Sequence, residues 1–393
     1  MARWREIVAQ IAGDVETQFD ALKQRLDRRI GDEPLQIVAY RGYGTATQLV
    51  LSGRVLEQTG ARAAADHDSV WDNLLNTYRR FATDEIAGAR VLIEYGGARQ
   101  EVVTDEEGFF MARLELAAPL LNEPIWREVT LTLLEPLRTN AVSMSAIGQA
   151  LVPPPGAQFG IISDIDDTVL QSSATDLLKM ARLVFLGNAR TRLSFPGVAA
   201  LYRALYEGAT GPFINPIFYV SSSPWNLYDV LTDFFALQDI PAGPMMLRDW
   251  GLSNRELLPT DHHSHKMTSI RQILDFFPNL PFLLIGDSGQ EDPEIYRDVV
   301  HLYPQRILAM YIRDVSRNPE RDAAINALAK EVAAAGSTLI LAADTPAAAQ
   351  HAAAQGWITA EALAAVAADK TTDQAAPTAL EMLLEEESGA GSD

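Results

Sequence analysis

Residues 159–168 read FGIISDIDDT: an apolar run without polar alternation that stops abruptly in three carboxylates and a threonine. Such a run fits a strand buried on both faces, the kind found in parallel sheets. The pattern returns in NPIFYVSSS at 215–223, PFLLIGDS at 281–288 and QRILAMYIRD at 305–314. Helical stretches separate these runs, among them NLYDVLTDFFAL at 226–237 and SIRQILDFF at 269–277. Strand and helix in alternation predict an α/β fold, a parallel sheet with helices on both faces.

Working outward from this core, VPPPG at 152–156 stiffens the chain and acts as a linker. Before it the pattern is β. LQIVAYRGYG, TQLVLSGRVLE, ARVLIEYGG, RQEVVTDEEGFFMARLEL, REVTLTLLEPL and AVSMSAIGQALVP are short runs broken by Gly, Pro and Asp, and they predict a β-sandwich over 31–152. RGYGT at 41–45 lacks the spacing and lysine of a phosphate loop. In TDEEGFF, Gly108 falls where a turn needs positive φ. Residues 1–30 carry apolar positions at helical spacing, an amphipathic helix, and 66–82 read as an inserted helix.

The catalytic-type α/β region extends over 157–345, with GSTLILAADTP at 336–346 offering one more strand. An Ala-rich helical extension follows over 346–370, and 371–393, with six acidic and no basic residues, reads as a disordered acidic tail.

The chain has 393 residues, with 32 Lys and Arg against 52 Asp and Glu, a net charge of −20, and no cysteine. Thiolate metal sites and cysteine nucleophiles are thereby excluded. The charge argues against nucleic-acid binding, which needs basic surface. No signal peptide or transmembrane run is evident, so a cytoplasmic location is expected.

Ligands bind at the C-terminal ends of strands in parallel sheets, so the polar residues just after each run are the candidates. They are Asp164, Asp166 and Thr168 after the first, Ser221, Ser222 and Ser223 after the second, Lys266 ahead of a helix, and Asp287 and Asp292 after the third. Carboxylate oxygens suit Mg²⁺, which shares its shell with substrate phosphate. With that charge screened, an aspartate can attack phosphorus, while lysine and serine stabilise phosphoryl oxygens. Asp167 reads as a helix-start or outer carboxylate. His262, His263 and His265 in DHHSHK lack a fourth ligand for zinc and read as a polar active-site loop that positions Lys266.

These motifs, in this order, resemble the haloacid dehalogenase superfamily of aspartyl-phosphate hydrolases. The resemblance implies a Rossmann-like core with Asp164 as nucleophile and Asp166 as general acid, then base. It further implies phosphate binding by Ser221, with Ser222 as the alternative, and by Thr168, and charge neutralisation by Lys266. Mg²⁺ would be held by Asp164, the Asp166 carbonyl and Asp287, with Asp292 behind them. A carboxylate at 166 distinguishes hydrolases from ion pumps and dehalogenases in that superfamily, and so implies a phosphatase.

About fifty residues separate Thr168 from Ser221 and about forty separate Ser223 from Lys266, too few for a large cap. An open site suits a macromolecule or a lipid surface. Residues 177–206 hold Lys179, Arg182, Arg190, Arg192 and Arg203 and no acid, beside Leu177, Leu178 and Leu183–Leu186. That composition fits a basic, apolar flap facing anionic headgroups, or a core helix with surface arginines. SDIDDTVL, FYVSSSPWNLYDVL and PFLLIGDSGQEDPEIY, with the upstream RGYGT and GRVLE strands, are similar to the actin-patch-protein phosphatidate phosphatase family. Mg²⁺-dependent hydrolysis of phosphatidate to diacylglycerol, peripheral at the membrane, is the implied activity. The alternatives are a phosphatase of the same mechanism for a protein or soluble phosphomonoester, and a module whose β-sandwich binds a protein partner beside a vestigial catalytic domain.

Overall fold

A computed structural model of the chain describes residues 34–57, 85–120, 124–136, 144–169, 194–210, 214–248 and 262–375. The expected helices at 1–30 and 66–82, most of the basic segment and the tail beyond 375 lie outside the described residues.

The first region forms strands β1 Leu35–Gly44, β2 Gln48–Glu57, β3 Arg90–Tyr95, β4 Ala98–Val103, β5 Phe109–Glu115, β6 Trp126–Glu135 and β7 Ser145–Leu151. Alternation sets the faces: Phe110, Ala112 and Leu114 of β5 are buried, whereas Met111, Arg113 and Glu115 are exposed. The strands make one mixed sheet, ordered β4-β3-β6-β7-β1-β2-β5, whereas the sequence pattern predicts two packed sheets. The Arg113 N–H on one edge strand donates to Gln100 Oε1 on the other at 3.0 Å, so the sheet curls until its edges meet around one core. Period-2 alternation is common to both arrangements and does not separate them.

Gly108 has φ 74°, as its turn requires, and a Cβ there would come 2.7 Å from the Val55 carbonyl oxygen. Gly42 of the RGYGT motif lies inside β1 at a register shift, where any side chain would run into the Val50 carbonyl. The motif is a bulge between strands and holds no phosphate loop.

The second region is a six-stranded parallel sheet: β8 Gly160–Ser163, β9 Ile217–Pro224, β10 Met245–Arg248, β11 Phe282–Asp287, β12 Ile307–Arg313 and β13 Leu339–Ala342, ordered β10-β9-β8-β11-β12-β13. Helices α1 Val198–Glu207, α2 Tyr228–Leu237, α3 His262–Phe276, α4 Asp292–Leu302, α5 Pro319–Ala334, α6 Thr345–Ala354 and α7 Ala360–Ala375 alternate with the strands or follow them. Ile161 and Leu283 face the α1, α2, α6 and α7 side, and their neighbours Ile162 and Leu284 face the α3, α4 and α5 side. Both faces are covered, which explains the uninterrupted apolar runs.

The chain winds outward from β8 in one direction and from β11 in the other, so strand order reverses between these two strands. A crevice opens at such a switch point, past the strand ends. Asp164 follows β8 and Asp287 ends β11, one on each side of that crevice.

Helix α7 runs to Ala375, beyond the boundary drawn from charge alone. Asp373 is buried and accepts from the Gly197 N–H at 2.8 Å, and Lys370 pairs with Asp344 at 2.7 Å. Burial of Asp373 against α1 explains why an acidic residue there continues the fold. Among the described residues no helix is long and apolar enough to cross a membrane.

Candidate active site

Lys266 stands in α3, in line with Ile270, Ile273, Leu274 and Phe277, all buried. These positions fall on one helical face, and the lysine is its N-terminal end. The helix therefore begins at His262, where the sequence reading placed a loop. Lys266 is 3% exposed, and its Nζ lies 2.9 Å from Asp164 Oδ1 and 2.6 Å from Asp292 Oδ1.

Asp164, Asp287 and Asp292 are all buried, and one oxygen from each lies within 4.8 Å of the others. Asp287 Oδ1 accepts from the Gly289 and Gln290 N–H groups at 2.6 and 2.9 Å. Asp292 spends both oxygens, one on Lys266 and one on the Asp287 N–H at 3.2 Å. Asp287 Oδ2 is buried without a hydrogen-bond donor; Asp164 Oδ1 lies beside the ammonium but has no aligned N–H. A buried carboxylate oxygen without a donor, Asp287 Oδ2, in a cluster of three carboxylates fits a hard divalent cation. The buried acidic cluster of Asp164, Asp287 and Asp292 can hold a metal ion.

Three carboxylates against one ammonium set the electrostatics. Burial pushes the Asp164 pKa up well above the usual carboxylate range, against the pull of Lys266. Burial, then Asp292, raises Asp287 to about 7. For Lys266, burial favours loss of the proton, but Asp164 and Asp292 together outweigh it and hold the pKa above the ordinary lysine value.

Asp166 lies half-buried on the other side of Asp164. Its Oδ2 accepts from Ser221 Oγ at 2.7 Å, and Ser223 Oγ lies 3.2 Å from Oδ2 and 3.4 Å from Oδ1. The Ser223 N–H donates to Ser221 Oγ at 2.8 Å. Ser222 falls between them in the strand, where alternation turns it to the other side. Thr168 donates to Asp164 Oδ2 at 3.3 Å, and Asp167 takes φ 56° between Asp166 and Thr168.

Sequence reasoning places Ser223 at the strand end but gives it no role, and it misses Gln290. Ser223 is two residues from Ser221, the strand period, which is the signal that puts both on one side. Gln290 Nε2 donates to the Asp166 carbonyl at 3.4 Å. His263 and His265 do not converge. His263 Nε2 lies 3.6 Å from Asp298, while His265 sits beside the Met246 and Ser221 backbone, its pKa lowered by burial.

Gly286 gives a first test of the cluster. A Cβ there would lie within 2.9 Å of three atoms of the Asp292 side chain. Gly286→Ala should therefore displace Asp292 without altering any ionisable group, lowering turnover by on the order of 10²-fold. Wild-type rates in a steady-state assay of this variant would mean that the Asp292 position is unimportant.

Residues 159–314 match the family model described as "Phosphatidate phosphatase APP1, catalytic domain". The phosphatidate phosphatase APP1 of Saccharomyces cerevisiae is 33% identical over 193 residues, 49% of this chain and 32% of that protein. An uncharacterized protein of Schizosaccharomyces pombe is 28% identical over 242 residues, 60% of this chain and 37% of that one. The chain thus spans about a third of the length of these curated relatives. Among solved structures, a carbohydrate acetylesterase of Xanthomonas citri overlaps 76% of this chain and 74% of its own, at 11% identity and a TM-score of 0.25. That likeness is too slight to bear on fold or site. The stretch that builds the acidic cluster is the stretch the family model matches, and residues 159–314 are thus similar to the phosphatidate phosphatase APP1 catalytic domain.

Proposed function

We propose that this protein is a Mg²⁺-dependent phosphatidate phosphatase that releases diacylglycerol and phosphate through an aspartyl-phosphate on Asp164. The observation that carries the reading is the pairing of Asp164 with Lys266 beside a buried acidic cluster, inside the family-matched stretch. A haloacid dehalogenase-type core over 157–345 is part of the reading, supported by the strand order and the switch point between β8 and β11.

In the first half-reaction an Asp164 carboxylate oxygen attacks phosphorus, and the bond from phosphorus to the glycerol oxygen breaks. Protonated Asp166 gives its proton to that oxygen as diacylglycerol leaves. Asp166, now a carboxylate, then takes a proton from water, whose oxygen attacks phosphorus. The bond from phosphorus to Asp164 breaks, phosphate leaves, and Asp164 is restored as a carboxylate. Ser221 and Lys266 donate to phosphoryl oxygens, and Thr168 orients the nucleophile. Asp164, Asp287 and the Asp166 carbonyl would hold Mg²⁺, which when bound offsets the negative charge shared by phosphate and carboxylates.

The lipid surface is reached from the cytoplasmic side, peripherally. Arg182, Arg190 and Arg192, outside the described residues, are the proposed headgroup contacts, and the curled sheet is the proposed platform for a protein partner. Phosphate release from phosphatidate in mixed micelles should exceed release from soluble phosphomonoesters and should stop when Mg²⁺ is chelated. Turnover of soluble esters with none of phosphatidate would refute the lipid reading. Turnover unaffected by chelation would refute the metal.

A further inference from the structure

The residues directly after the serine strand are gripped from the first sheet. Trp225 stacks on Tyr40 of β1, with ring centroids 4.3 Å apart and planes at 24°. Asn226 Oδ1 accepts from Arg54 Nη1 of β2 at 3.0 Å. The Tyr228 hydroxyl accepts from the Arg41 N–H at 2.8 Å.

Arg54 is a rigid point of attachment. It is 6% exposed, its Nε donates to the Glu107 carbonyl at 2.6 Å, and its Nη2 donates to Glu85 at 2.9 Å. Its guanidinium also lies 4.3 Å over the Phe109 ring. A planar fork held on three other sides cannot swing to follow a moving partner. Between this grip and the site lies a single residue, Pro224, whose ring restricts φ, here −71°. Beyond it, Ser223 holds Ser221 through its N–H and joins Ser221 on the Asp166 carboxyl.

We infer that Arg54 and Tyr40 are positioning residues for Asp166, acting through Trp225 and Asn226 on the Ser221–Ser223 end of β9. The inference rests on the proposed role of Asp166 as general acid. It gives the first sheet, which lies outside the family-matched residues, a part in proton transfer. Proton donation requires the carboxyl within hydrogen-bond reach of the leaving oxygen, and a displacement of about 1 Å costs on the order of 10²-fold.

The test uses the full chain with Asn226→Ala, at an exposed residue, Trp225→Leu, which removes the stacked ring, and Trp225→Phe, which keeps one. Two esters separate positioning from general damage. An alkyl phosphate needs a proton on its leaving oxygen, whereas nitrophenyl phosphate releases a stable anion. For Asn226→Ala and Trp225→Leu, the single-turnover rate of leaving-group release, which reads the first half-reaction alone, should fall about 10-fold or more on the alkyl ester and stay within about 3-fold of wild type on nitrophenyl phosphate. Trp225→Phe should restore the alkyl rate. An equal loss on both esters, or no loss, overturns the inference. Amide exchange gives a reading that needs no turnover: the Ser223 N–H should exchange faster in Trp225→Leu and at the wild-type rate in Trp225→Phe. Unchanged exchange overturns the positioning role, whereas a wild-type protein that hydrolyses neither of these esters nor phosphatidate overturns the phosphatase reading.

Discussion

Asp164→Asn should abolish turnover while leaving the protein at least as stable as wild type. The amide is a poor nucleophile towards phosphorus, and removal of a catalytic nucleophile costs on the order of 10⁴-fold or more. Stability moves the other way because of the charge balance around it. Asp164, Asp287 and Asp292 crowd one buried ammonium, and the substitution deletes one of the three negative charges while Lys266 keeps Asp292 at 2.6 Å. Burial raises the Asp164 pKa in the fold. A raised carboxylate pKa means that the folded state holds the proton more tightly than the unfolded chain. The penalty for ionising it is absent in acid below the unfolded value and fully present above the folded value. In chelator at neutral pH, Asp164→Asn should therefore melt at the wild-type temperature or a few °C higher, and that advantage should vanish as the pH falls through the carboxylate range. Residual turnover above a hundredth of wild type would refute the nucleophile. A large loss of Tm in chelator would mean that the carboxylate is a net structural asset.

Much of the catalytic region is legible in the sequence because its physics is local. A strand buried on both faces must be apolar throughout, so Ile161–Ile162 and Leu283–Leu284 announce parallel strands, and the residues after them must stand at the sheet edge. The order of residues does not reveal which strands are neighbours. That Asp164 and Asp287 share a crevice depends on β8 pairing with β11, a contact more than a hundred positions apart.

Three features lie beyond local pattern. The curled sheet and a sandwich share the same alternation, and only the meeting of β4 with β5 distinguishes them. The start of α3 was hidden because His262–Lys266 are polar and suit a loop by composition. Their helical state is set by Lys266 continuing the stripe of Ile270 and Ile273 into the buried cluster. Tertiary contact overrides composition at that point. Asp373 was misread for the same reason: an acidic residue in an acidic stretch reads as solvated, but this one caps a backbone N–H of another element.

Lys266→Met should be the most destabilising single change in the site, and its effect should depend on the metal. The methionine retains the apolar stem but removes the ammonium that faces Asp164 and Asp292, leaving three buried carboxylates in one cluster without that cation. Breaking a buried ion pair by deleting one partner costs about 3–5 kcal/mol. The wild-type lysine holds its proton more tightly in the fold than in the unfolded chain, because Asp164 and Asp292 outweigh burial. Its contribution is thus fully present below the ordinary lysine pKa, which includes neutral pH, and is lost only in strong alkali. Acid should relieve the variant by protonating a carboxylate, so its deficit in chelator should shrink from neutral pH towards pH ~5. A divalent cation can replace part of the missing positive charge. Because a ligand that binds only the folded state stabilises it in proportion to its affinity, Mg²⁺ should raise the Tm of Lys266→Met by more than it raises that of wild type. Turnover should remain at least about 10³-fold down even with the metal bound, since a cation on Asp287 does not supply the hydrogen bonds of an ammonium to the phosphoryl oxygens. Thermal melts across a Mg²⁺ titration decide the matter. Equal metal-induced shifts in the two proteins would mean that Lys266 and the metal do not share the charge of this cluster, and near-normal turnover would remove Lys266 from the mechanism.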